Sequence, residues 1–339
     1  MLELLPQFFW QLVVIAYTVV FPILLLAGFG FWLQKKFGLD SATLTRLNFY
    51  FLIPCVVYFV VVTADLRGGD VLLVVGFQAA LMFILLGLSY LAAKIFRVPG
   101  DQQAALGMST IFHNSGNYGL PLQDLAFRQS GASEPAMAIQ AIYMVFQNFL
   151  NFTLGIFLAA MGKRGMASIR DWRSHLGPIL RLPPMYALAA GLLTVQVRAQ
   201  LSPEVVDQIF ALGEPFWQVI AYVRDAFIAL ALCTLGAQLA KVSKEGLRYP
   251  VRLAVALRLL AGPVAGFLLI WALGIEGFMA QVLMLATCTP TAINCLLLCL
   301  EFDNHPDFTA RSVYYSTLLS PITIAFVLFV TRSGIGPFG

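Results

Sequence analysis

Apolar stretches of twenty or more residues recur along the whole chain, separated by short polar connections. A helix that crosses a bilayer needs roughly 20 mostly apolar residues, since each adds about 1.5 Å of rise across a hydrocarbon core of about 30 Å. The pattern predicts ten such spans, at about 11–33, 44–64, 71–95, 102–127, 135–161, 179–197, 215–240, 249–273, 277–300 and 308–331. Most connections are short; 162–178 and 198–214 are the exceptions. The stretch 162–178 holds Lys163, Arg164, Arg170 and Arg173. It reads as a cytoplasmic linker between a first five-helix repeat (1–161) and a second (179–339). The expected fold is an all-α polytopic membrane protein.

Composition narrows this reading. Of 339 residues, 60% are hydrophobic and only 11% are charged, against about 25% charged in an ordinary soluble domain. So few charges cannot cover a soluble protein of this size. A typical cytosolic enzyme, a nucleic-acid binder and a disordered chain are excluded, and the lipid bilayer is the expected partner. Cys55, Cys233, Cys288, Cys295 and Cys299 form no CxxC pair and lie in apolar stretches, so they read as small packing residues. Glu3 precedes the first apolar run, which lacks a basic leader and a small-residue cleavage site. That run is expected to be a retained helix.

The net charge of +4 is unevenly distributed. With the N-terminus outside, fifteen Lys and Arg fall at cytoplasmic loops and helix ends, and four fall on the outer side. Arg224 and Arg258 lie within spans. The inner side then holds seven acidic residues and the outer side nine. The bias predicts both termini outside and an even number of spans in a plasma (bacterial inner) membrane. The weakest loop is 301–307, which carries Glu301, Asp303 and Asp307.

Five helices per half force the halves to insert upside down relative to each other, a common transporter plan. Faint matches agree with it. Pro135 to Tyr143 and Pro306 to Tyr314 have the same spacing, as do Asn117 to Asp124 and Asn294 to Glu301. Span four is interrupted by His113-Asn114-Ser115-Gly116-Asn117-Tyr118-Gly119-Leu120-Pro121. Gly116 and Gly119 weaken helix propensity by about 1 kcal/mol each relative to Ala. Pro121 lacks an N–H and crowds the carbonyl of Asn117. Span nine carries Thr287-Cys288-Thr289-Pro290-Thr291-Ala292-Ile293-Asn294, where Pro290 ends the first half-helix. Openings at this depth are tolerated only inside protein or beside a wet cavity. If they cross, each second half-helix presents a positive end of about half a charge to one spot, which favours a carboxylate. The ends of the first half-helices would favour a cation instead. The bland alternative is two proline-kinked helices with interhelical hydrogen bonds.

These residues resemble the auxin efflux carrier family, which includes the plant PIN-FORMED carriers and bacterial carboxylate permeases. Asn114 to Leu122 is similar to the Asn-rich, Gly-x-Pro motif of the fourth helix. Ile53-Pro54 within Asn48–Phe59 resembles the second helix, Thr289 to Asn294 the ninth, and Ser316 to Ser320 the tenth. The resemblance runs over nearly the whole chain. It implies ten helices in two inverted repeats with broken, crossing fourth and ninth helices. It also implies a scaffold (spans 1, 2, 6 and 7), a moving part (spans 3–5 and 8–10), an elevator-like motion and a homodimer. The long cytoplasmic insert of plant members is missing, which points to a compact prokaryotic type.

The expected function is transport of small organic anions, carboxylates or auxin-like acids, by alternating access. Substrate would contact Asn114, Ser115, Asn117, Tyr118, Thr291, Asn294 and Asn148, with Gly116, Gly119, Pro121 and Pro290 holding the openings. Tyr143, Gln147 and Asn151 share the stretch that holds Asn148. His113 is either a proton relay or a hydrogen-bonding prop for broken backbone. Arg224-Asp225 is either an intramembrane pair or an outer-interface pair with Arg224 snorkelling. Arg258 either snorkels inward or balances substrate charge. No cofactor or metal is expected; the coupling ion, if any, is H+ or Na+. A cation antiporter or a bile-acid-type symporter of the same fold is the alternative, with Asp225 the one in-span acid well away from a helix end. An intramembrane enzyme is remote, since HExxH, GxSxG and paired midplane aspartates are missing from the sequence.

Overall fold

The computed structural model describes residues 4–64, 68–161, 182–242, 246–334 and 336–339, with side chains described from Trp10 onward and not for Phe210. The expected linker 162–178 and the basic residues Arg67, Arg181 and Lys244 lie outside these residues.

The described residues fold into twelve principal helices. They are α1 (4–37), α2 (Ser41–Thr63), α3 (Gly68–Ile95), α4 (Gln103–Ile111), α5 (115–127) and α6 (Ser133–Ala160). The rest are α7 (Pro183–Arg198), α8 (Pro203–Leu239), α9 (Val251–Ala272), α10 (Gly277–Thr287), α11 (Ile293–Glu301) and α12 (Pro306–Arg332). Local chemistry sets the ends. Gly38 takes a φ of 64° to close α1, whose last turn holds Lys35 and Lys36 against the negative pole. Asp40 caps α2 by accepting from the Thr43 hydroxyl and from the Ala42 N–H at 3.0 Å. Those bonds, the hydroxyl's first, hold its carboxyl below the usual carboxylate range.

Seven helices among the described residues are long and apolar enough to cross a membrane: Trp10–Phe37 of α1, α2, α3, α6, Ala211–Leu239 of α8, α9 and α12. Three of the ten expected spans are not in this set. The fourth and ninth are each cut into two short helices, α4 with α5 and α10 with α11. The described part of the sixth, α7, has 16 residues.

Helices α1, α2, α7 and α8 pack together, most extensively α1 with α8 and α7 with α2. Gly30 and Gly236 let α1 and α8 touch backbone to backbone. A Cβ on Gly30 would fall 1.9 Å from the Cys233 carbonyl oxygen, and one on Gly236 would fall 1.8 Å from that of Ala27. The other helices pack mainly among themselves: α3 on α4 and α6, α5 on α6, α9 on α10 and α3, and α11 on α12.

Charged side chains of the described residues line two separate cavities. At one end Arg46, Lys241, Asp307 and Arg311 line a common cavity, and His305 Nε2 lies 2.9 Å from Asp101 Oδ2. The acidic stretch 301–307 therefore sits with the basic loops. At the other end Asp124, Arg128, Glu134, Arg224 and Asp225 line a pocket. Arg224 Nη1 lies 2.7 Å from Glu134 Oε1, its Nη2 lies 2.9 Å from Asp225 Oδ1, and the guanidinium covers the Phe59 ring at 4.5 Å. Both residues lie within Ala211–Leu239, the part of α8 long and apolar enough to cross a membrane. Helix α8 has 37 residues, so even Arg224 is level with the first turn of α6.

Candidate functional site

The two interruptions meet. The chain leaves α4 at Phe112 (φ −96°, ψ 116°) and turns helical again at Ser115. It leaves α10 after Thr287 and resumes helix at Ile293, with Ala292 extended (φ −70°, ψ 140°). His113 and Thr291 form an antiparallel bridge. The Asn114 N–H donates to the Pro290 carbonyl at 2.7 Å, and the Ala292 N–H donates to the Phe112 carbonyl at 2.9 Å. Each break thus satisfies backbone groups that the other frees, as buried backbone requires.

The first opening is narrower than the sequence suggests. It covers 112–114, and Gly116, Gly119 and Pro121 lie inside the second half-helix. A wide π turn over Ser115–Gly119 resets the bonding register, so Pro121 falls near the start of a fresh α-helical segment, Leu120–Phe127. Gly119 is where the Gln140 amide comes close; that amide donates to the Ser115 carbonyl at 3.0 Å.

His113 is buried and ties the breaks to α6. Its Nε2 lies 2.8 Å from Tyr143 Oη and its Nδ1 lies 3.0 Å from Thr289 Oγ1. Its carbonyl accepts from Gln147 Nε2, which also donates to Ser115 Oγ at 3.1 Å. Both ring nitrogens are thus within hydrogen-bond distance of hydroxyls.

A small polar cavity of about 60 Å3 lies against the starts of α5 and α11. Its lining includes His113, Asn114, Ser115, Gly116, Asn117, Asn148 and Asn294. Asn294 Nδ2 donates to Asn148 Oδ1 at 3.4 Å. Among the described residues no acidic or basic side chain, His113 aside, lines it. The facing wall comes from α2 and α8: Thr45, Asn48 and Gln238. Four buried amide atoms around the cavity have no protein partner: Asn48 Oδ1, Asn114 Nδ2, Asn151 Oδ1 and Gln238 Oε1. Orphaned buried polar groups of this kind call for a ligand or water. A second cavity of about 690 Å3 adjoins the first, sharing Thr45, Gln238, Ile293 and Leu297, and reaches the basic end at Arg46, Lys241 and Arg311.

Other predicted residues lie elsewhere. Tyr118 is buried in the core and its hydroxyl accepts from Ser320 Oγ at 3.1 Å. Thr291 is also buried; its hydroxyl donates to the Ser109 carbonyl at 2.8 Å, and its N–H donates to Ser316 Oγ at 3.0 Å. Neither lines the cavity. Pro290 contributes its carbonyl to the pairing with Asn114. Asp225 belongs to the cluster at the far end.

Arg258 neither snorkels nor reaches the cavity. Its side chain is fully buried, with Nη1 donating to the Thr110 carbonyl at 2.8 Å and Nη2 to the Thr287 carbonyl. Thr45, Asn48 and Gln238 went unremarked as site residues in the sequence. An amide one turn before the Ile53-Pro54 of an apolar helix was the available signal for Asn48.

Residues 15–328 match the family model described as membrane transport protein. A protein described as an uncharacterized transporter, from Methanothermobacter thermautotrophicus, is 24% identical over 316 residues, which cover 90% of this chain and 95% of that relative. The chain therefore belongs to the membrane transport protein family, the auxin efflux carrier group that its motifs resemble, and is a multi-pass membrane transporter.

Proposed function

We propose that the protein is a secondary carrier of small organic anions, mono- or dicarboxylates or auxin-like acids, working by alternating access. The supporting observation is that α5 and α11 both begin at one cavity lined by amides and hydroxyls, approached past Arg46, Lys241 and Arg311. Two helix N-termini give about half a positive charge each, so a carboxylate there needs no fixed cationic side chain. In the cell the chain would make ten crossings of the inner membrane, with both termini outside. Its two five-helix halves would be inverted copies whose broken helices cross. Helices α1, α2, α7 and α8 would stay fixed, and a homodimer would give this fixed part a wider footing in the bilayer. The rest would move elevator-like. A cation antiporter would want a carboxylate at the crossing, and the cavity lining has none.

The test is uptake into proteoliposomes, with the substrate found by a thermal-shift screen of carboxylates with and without sodium, because a bound ligand stabilises the native state by mass action. Asn117→Ala and Asn294→Ala should abolish binding and uptake while the protein still folds. Normal uptake by both variants would overturn the site.

A further inference from the structure

The C-terminal ends of the first half-helices raise a problem that the cavity does not solve. Helices α4 and α10 stop inside the protein, and each leaves terminal carbonyls and about half a negative charge. One side chain answers both. Arg258 Nη1 donates to Thr110 near the end of α4, and Nη2 donates to Thr287 at the end of α10. Among the described residues no carboxylate pairs with Arg258. One full positive charge therefore faces two half-charges of opposite sign.

Helix α9 is shaped for this contact. Arg258 sits in a wide π turn, Leu257–Ala261. Gly262 and Gly266 follow at four-residue intervals, on the same helix face. A Cβ on Gly262 would fall 2.7 Å from Arg258 Nη2, and one on Gly266 would fall 2.5 Å from Thr287 Cγ2. The face is hollowed so that the guanidinium and the end of α10 fit.

We propose that Arg258 is a tethered cation that clamps the two breaks together by bonding the ends of both first half-helices. The crossing is then polarised: a fixed cation at the two C-terminal ends, an anion site at the two N-terminal ends. The clamp is a positioning device, since Arg258 does not line the cavity. This assignment rests on the carrier reading for its transport consequence alone.

The experiment compares wild type with Arg258→Lys, Arg258→Met and Arg258→Ala. The first readout is the melting temperature of purified protein titrated with guanidinium or methylguanidinium, with urea as the neutral control. The second is carboxylate uptake. Arg258→Lys should retain most of it, and Arg258→Met should lose about 100-fold, because a buried partner is left unbalanced. Arg258→Ala should gain stability and uptake from guanidinium and methylguanidinium and none from urea. Equal loss in the Lys and Met variants, or a folded Arg258→Ala indifferent to guanidinium, would each overturn the clamp. If Arg258→Ala does not fold, the Lys–Met comparison decides. If wild type carries no anion, the carrier reading fails, and the response of melting temperature to guanidinium still decides the role of Arg258.

Discussion

His113 shows how a single side chain can serve two broken helices. Its ring bridges Tyr143 on α6 and Thr289 beside the second break, and its carbonyl receives the Gln147 amide. Tyr143→Phe removes one hydroxyl and leaves a buried ring nitrogen unpaired. The expected cost is about 1–3 kcal/mol, read as a lower melting temperature in detergent. An unchanged melting point would mean that the bond contributes nothing. Residue identities around the cavity were legible because amides are conspicuous in apolar helices: Asn114, Asn117, Asn148 and Asn294 all reach it. Direction was not legible. Tyr118 stands beside Asn117 in sequence, yet a turn of wider pitch sends it into the core against Ser320.

At the scale of elements, proline and glycine announce that a helix is interrupted and say less about where. The residues that break it at 112–114 are not the glycines or the proline but Phe112, His113 and Asn114, which adopt non-helical backbone to pair with 290–292. That pairing is long-range, and no local rule reports it. The role of Arg258 was hidden for the same reason, although an in-span arginine followed by Gly262 and Gly266 at helical spacing was a readable sign of close approach. The α1–α8 contact offers a direct test of how tightly these two helices are packed. Gly30→Leu forces a side chain against the Cys233 carbonyl. Overpacking of this kind costs about 1–3 kcal/mol or more. The variant should lose folded yield on size-exclusion chromatography, and a normal elution profile would show that α1 and α8 can separate without penalty.

Across the whole molecule, the wide cavity lies beside Arg46, Lys241 and Arg311, apart from the pocket lined by Asp124, Glu134 and Arg224. Thr45→Cys lies where the wide and narrow cavities join. A membrane-impermeant thiol reagent should label it from the side of Lys35 and Lys36, and a bound carboxylate should slow the reaction. Labelling from the opposite side alone would reverse the assignment of the open end. The bridge between His113 and Thr291 carries one more consequence. The amide hydrogens of Asn114 and Ala292 are each bonded to a carbonyl of the other break. Neither can reach solvent unless both strands part, so the two form one cooperative opening unit. In deuterated water these two amides should exchange slowly and at a common rate, as a single clock for the parting of the two breaks.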